Sequence, residues 1–124
     1  MLLMQDRNAA QYFIQKVNLD GIYINEEKYT HPLIVMPHKI IFPWKATSFE
    51  NLNDSDFELL LAEKVDIILL GVGEAGKKLP SELYYRLLEK KLIIESMSLA
   101  AACRTYAVLS SEGRRVAAAL LFEV

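Results

Sequence analysis

From residue 21 onward the apolar positions switch between two periods, and the switches mark out the elements. Ile22-Tyr-Ile-Asn25 and Lys28-Tyr-Thr30, following Gly21 and separated by Glu26-Glu27, predict a hairpin whose turn lacks the glycine that a tight primed turn prefers. Leu33-Ile-Val-Met36 reads as a strand closed by Pro37, and Ile40-Ile-Phe42 with Trp44 as a further extended piece broken by Pro43. The period then lengthens. Asn53 or Ser55 can cap a helix over about residues 55–63, with Phe57, Leu60 and Leu61 on its inner face. Asp66-Ile-Ile-Leu-Leu70 is a continuous apolar run expected of a strand buried on both faces.

A loop from Gly71 to Leu79 follows, and Pro80-Ser81 open a helix to about Lys91 that turns Leu83, Leu87 and Leu88 to one side. Leu92-Ile-Ile-Glu95 is a short strand, residues 98–111 a helix ended by Gly113, and Arg115 to Glu123 a last strand. The first twenty residues fit a short helix or an extended lead-in equally well. A hairpin-rich start followed by strand-helix-strand-helix-strand predicts an α/β fold, a mixed sheet covered by helices. The organisation expected is a lead-in over residues 1–20 and a single α/β domain over 21–124, with no repeat or linker to suggest another.

Composition narrows the function. At 124 residues, 52% hydrophobic and 24% charged, the chain can bury an ordinary core without metal or disulfide support. Its net charge of −2 and its basic residues, scattered as pairs such as Lys77-Lys78 and Lys90-Lys91, provide no positive stripe for nucleic acid. The longest apolar runs fall far short of the roughly 20 residues of a membrane helix, so membrane insertion is not expected. A single cysteine and the absence of a secretory pattern at the start fit a cytoplasmic protein.

Candidate chemistry is sparse. Gly71-Val-Gly-Glu-Ala-Gly76 matches the dinucleotide fingerprint and follows a strand, with Glu95 ending the next one. The mechanism requires a helix to begin within the glycines so that its amino end meets the pyrophosphate, and Lys77-Lys-Leu-Pro80 delays it. The expectation is a packing loop and no cofactor. Arg104 has apolar neighbours at three and four positions (Ala100, Ala101, Ala107, Val108), so it must snorkel, pair with a carboxylate such as Glu95 or Glu74, or meet a ligand or partner. Cys103 reads as a small buried hydrophobe, with no histidine near in sequence to activate it. His31 and His38 lack neighbours at metal-ligand spacing, no serine hydrolase elbow is present, and Trp44, Tyr84, Tyr85 and Tyr106 read as core or sheet-edge aromatics.

Several of these stretches together resemble a small uncharacterised α/β-domain family, a domain of unknown function, that includes NADH dehydrogenase (complex I) assembly factor 3. The resemblance rests on the hairpin Gly21 to Tyr29, Pro37 to Trp44, Gly71 with Gly73, Leu79-Pro80 and Glu95 with Met97. Ala101-Ala-Cys-Arg-Thr-Tyr106 and Glu112-Gly-Arg-Arg-Val-Ala-Ala-Ala-Leu120 complete it, so that it spans roughly residues 20 to 121. It implies a three-layer fold with a central mixed sheet, helices on one side and a hairpin-rich layer, and a role in assembling a membrane-bound respiratory complex. Where the family usually carries polar residues this chain has Met97-Ser-Leu-Ala100, Val72 and Ala107, which implies a more apolar pocket and less shared enzymatic chemistry.

The leading expectation is therefore a non-enzymatic interaction or assembly module with a protein partner, which self-association into a homo-oligomer would not contradict. Its candidate site is Gly71, Gly73, Glu95, Met97, Cys103, Arg104 and Tyr106, with Arg114 and Arg115 as further contacts. The rival expectation is a protein or enzyme binding an anionic small molecule in a pocket near Gly71, Glu95, Cys103 and Arg104. An exposed apolar patch around Tyr84, Tyr85 or Trp44 would favour the first, and a deep cleft at the carboxyl ends of the strands the second.

Overall fold

The computed structural model describes residues 11–18 and 20–122. Most of the expected lead-in, residues 1–10 and 19, lies outside the described residues; its described part carries β1 (Ile14–Asn18), which pairs antiparallel with β2 (Gly21–Ile24), and β2 pairs with β3 (Glu27–Tyr29), making a three-stranded sheet. The hairpin turn is Asn25-Glu26, one residue earlier than the sequence suggests. Both turn residues have positive φ, 49° and 73°, which a primed two-residue turn requires. Asn25 suits the first turn position, whose left-handed conformation it tolerates, and Glu26 stands where glycine is preferred. The Asn25 Oδ1 accepts from the Phe13 amide at 3.1 Å and its Nδ2 donates to the Gln11 carbonyl at 3.0 Å, tying the turn to the start of β1.

Five strands form the central sheet in the order β5-β4-β8-β6-β7, from β4 (Leu33–Met36), β5 (Lys39–Ile41), β6 (Ile67–Val72), β7 (Ile94–Met97) and β8 (Val116–Leu121). β8 and β7 run parallel to β6 on its two sides, while β4 is antiparallel to both β8 and β5. The chain leaves β6 through α2 (Ser81–Glu89) to reach β7, then crosses back through α3 (Leu99–Ser111) to reach β8. Because the two crossovers leave in opposite directions, right-handed connection puts the helices on opposite faces.

Burial follows the two-residue period, with both faces covered. Ile34, Met36, Ile68, Leu70, Val72, Ala117, Ala119 and Leu121 pack against Phe57 and Leu60 from the first helical segment and Leu83 and Leu87 from α2. Leu33, Val35, Leu69, Val116, Ala118 and Leu120 pack instead against Leu99, Ala102, Cys103 and Tyr106 of α3 and Ile14, Val17, Ile22 and Ile24 of the small sheet. The result is three layers, with α3 sharing its layer with the three-stranded sheet. Trp44 is core, its Nε1 donating to the Asp56 carbonyl at 2.9 Å.

Element ends carry identifiable caps. Asn53 caps α1 (Asp54–Glu58) in a reciprocal box with Asp56, and the segment tightens into a 3₁₀ turn over Leu59–Leu61 in place of a helix to residue 63. Both crossover helices end in a Schellman motif. In α3 the Arg114 amide donates to Leu109 and that of Gly113 to Ser110. In α2 the Leu92 amide donates to Leu87 and that of Lys91, with φ 68°, to Leu88.

Candidate functional site

In an open α/β sheet the usual ligand position lies at the carboxyl ends of the strands, where successive connections leave toward opposite faces. Here that position falls between β6 and β7, beside Gly73 and Met97, and the chain itself closes it. The Gly73 carbonyl accepts from the Leu99 amide at 2.8 Å, and the Gly76 amide donates to Val72 at 3.0 Å. A Cβ on Gly76 would lie 2.7 Å from the Met97 carbonyl carbon and 2.8 Å from the Ser98 nitrogen, so the turn rests directly on the backbone entering α3. Ser98 Oγ takes the Ala101 amide at 3.1 Å. The helix after the glycines begins only at Ser81, on the α2 side, so the geometry that gives a dinucleotide fingerprint its meaning is not formed.

The sequence-expected residues divide among three environments. Gly71, Gly73 and Met97 belong to this packed junction, where Met97 Sδ lies 3.8 Å from Thr105 Oγ1. Cys103 and Tyr106 are enclosed between the central sheet and the small one. The Tyr106 hydroxyl donates to the Tyr12 carbonyl at 2.8 Å, and burial raises its pKa. Burial pushes the Cys103 thiol up to about 12, with the Arg104 charge a smaller opposing influence, so the thiolate that nucleophilic chemistry needs is not available near neutral pH. Arg104 and Glu95 are exposed, on α3 and on β7. Gly71, Glu95, Cys103 and Arg104 therefore do not converge on one pocket.

A recess lies elsewhere, along the outer side of β7. A groove of about 370 Å³ is lined by Lys78, Leu79, Ser81, Tyr84, Tyr85 and residues 94–96 of β7, so Glu95 is the one expected site residue that reaches it. Its far wall is the loop before α2, held by a hydrogen bond from Ser96 Oγ to the Lys77 carbonyl. Tyr85, 60% exposed, lines it, and Leu88, 39% exposed, lies on the same side of α2 one turn further on. Tyr84 and Tyr85 meet edge to face, centroids 5.3 Å apart. Tyr84 and Tyr85 are expected from sequence as one candidate exposed patch, together with Trp44, which is buried, but helical spacing puts Leu88 on the inner face with Leu83 and Leu87. Only the position of α2 at the sheet's margin leaves Leu88 uncovered.

A second recess of about 200 Å³ lies at the opposite end of the sheet, lined among others by His38, Glu63, Arg114 and Arg115. There Glu63 bonds both His38 Nε2 at 3.0 Å and Lys39 Nζ at 2.8 Å, which lowers its pKa, the Lys39 bond contributing most. Among the described residues no three His, Cys, Asp or Glu side chains cluster to hold a metal ion.

A family model described as "Protein of unknown function (DUF498/DUF598)" matches residues 14–121. The chain belongs to this family. Among solved structures, an NMR structure from Xanthomonas campestris superposes with a TM-score of 0.81 at 32% identity, covering 98% of this chain and 92% of that one. Human NADH dehydrogenase [ubiquinone] 1 alpha subcomplex assembly factor 3 is 27% identical over 121 residues, which is 96% of this chain and 65% of the human protein. The "13 kDa major membrane protein" of Francisella tularensis is 26% identical over 122 residues, 98% of this chain and 99% of that protein. A relative named for assembly thus matches nearly all of this chain, while the chain spans less than two thirds of the human protein's length. Among the described residues no helix is long and apolar enough to cross a membrane.

Proposed function

We propose that this protein is a non-enzymatic assembly module that holds a protein partner on the way to a respiratory or other membrane complex. The observation that carries the reading is the groove beside β7 with the exposed Tyr85 on its wall and the exposed Leu88 on the same side of α2. Large apolar side chains grouped around a recess are the usual mark of a contact surface, and aromatic residues there supply much of the binding energy. Relatives named as assembly factors support the kind of partner. Arg104, exposed on α3, is a second contact to be tested beside the groove.

The test is purification of the tagged protein from its own cells in mild detergent, beside Tyr85→Asp and Arg104→Ala forms with unchanged circular dichroism and melting. Subunits of a respiratory or membrane-insertion complex should stay with the native form and be lost from Tyr85→Asp. A native form that retains no such subunit, or a Tyr85→Asp form that retains them equally, would sink the reading.

A further inference from the structure

We propose that the outer edge of β7 is a docking strand: an extended segment of a partner protein adds there as a sixth strand of the central sheet, placing an apolar side chain in the groove and carboxylates against Lys78 and Lys91. The idea rests on the partner-binding reading and states its mode. β7 ends the sheet, with β6 on one side and no strand on the other among the described residues. The Ile68 amide donates to the Ile93 carbonyl, so the backbone groups of Ile93 and Glu95 face β6 while those of Ile94 and Ser96 face outward. The strand carries neither the proline nor the bulge that commonly blunts an edge. Alternate side chains of an added strand would point to the α2 face, where the groove receives them, in the manner of peptides that extend a sheet beside a helix.

Charge selects the occupant. The groove side of α2 presents Ser81, Tyr84 and Tyr85, none of them charged, while Glu82 and Glu89 lie further round the helix. Lys78 stands by the carboxyl end of β7 and Lys91 three residues before its start, bracketing an edge of about 20 Å. Both are exposed and neither is ion-paired among the described residues, whereas Lys77 contacts Glu50 and Lys90 contacts Asp54 and Glu58. A segment with an apolar centre and acidic ends meets these requirements. A second copy does not: antiparallel pairing of two β7 strands about Glu95 sets the two glutamates opposite one another and brings the Lys78 end of each copy to the Lys91 end of the other.

The experiment titrates the isotope-labelled full chain with a synthetic eight-residue peptide alternating valine and threonine around a central phenylalanine, with aspartates at both ends. Three companions carry lysines at the ends, N-methyl groups on the backbone nitrogens of one face, or N-methyl groups on those of the other. The acidic peptide should shift the Ile94 and Ser96 amides and slow their exchange. One methylated peptide should lose roughly ten- to a hundredfold in affinity, as expected for two or three lost hydrogen bonds, and the other should not. Reversing both lysines (Lys78→Glu with Lys91→Glu) should invert the preference for end charge. No shift at Ile94 and Ser96 with millimolar peptide, or equal binding of the two methylated forms, overturns strand addition. If Tyr85→Asp nonetheless empties the cellular complex, the partner surface stands and only its mode falls.

Discussion

A Cβ built on Gly71 would lie 2.7 Å from the Ala102 Cβ, 3.0 Å from a Leu120 methyl and 3.2 Å from the Leu99 α carbon. Gly71 is thus where α3 sits down on β6, and its lack of a side chain sets the distance between helix and sheet. Its place in the string Gly71-Val-Gly-Glu-Ala-Gly76 imitates a phosphate loop because both arrangements need close backbone approach, here to a helix of the same chain. Gly71→Ala should therefore destabilise the protein by about 1–3 kcal/mol, the usual cost of overpacking, as read by urea unfolding. Adding Ala102→Gly removes the nearest atom and should recover part of that loss relative to the sum of the two single changes. Full additivity would mean that the strain is taken up by Leu120 or the Leu99 backbone.

At the scale of elements, α1 and the end of α2 are joined through Asp54, with Glu58 adding a longer contact to Lys90 at 3.6 Å. Asp54 accepts from Arg86 Nη2 at 2.9 Å and from Lys90 Nζ at 3.1 Å, and these hydrogen bonds, Arg86 first, hold its pKa well below the ordinary range. A folded pKa depressed below the unfolded value of about 3.9 makes the pairing's contribution present above that pH and lost as pH falls through the folded pKa. Asp54→Asn should accordingly lower the melting temperature at pH 7, with the difference from the native form closing below about pH 4 and shrinking in high salt. Glu63 shifts in the same direction and is common to both proteins, so the comparison isolates Asp54. An unchanged difference at low pH would assign the effect to the helix start instead. Helices and strands of this kind were legible wherever local chemistry and burial agree: Leu33–Met36 and the Ser98 and Gly113 ends of α3 fall where the pattern puts them. β6 runs on through Gly71 and Val72, Ile67–Val72 against the expected 66–70, and two other elements slipped where a residue other than glycine took a left-handed position. Lys91 ends α2 and draws Leu92 into its cap, which moves β7 to Ile94–Met97 from the expected 92–95, and Asn25 moves the hairpin turn by one.

For the whole molecule, a sheet buried on both faces makes stability strongly graded from centre to edge. The apolar runs of β6 and β8 announced that burial, but which helix would lie at the margin, and so which of its apolar residues would stay wet, depends on strand order, which no local period encodes. Tyr85 could be named in advance only as one possible patch beside the buried Trp44, and Leu88 was unreadable as a surface for this reason, while the glycines and Cys103 stood out in sequence through packing demands. The gradient itself can be measured. Leu69 in β6 and Ala118 in β8 sit in strands flanked on both sides, whereas the outward amides of Ile94 and Ser96 have no backbone partner among the described residues. Native-state hydrogen exchange should find the centre opening only with global unfolding and the two β7 amides exchanging faster by on the order of a hundredfold or more. If Ile94 and Ser96 are instead protected like β8, the edge is already covered in the purified protein. A rise in their exchange on dilution would then identify a second copy as the cover and count against an edge held open for another chain.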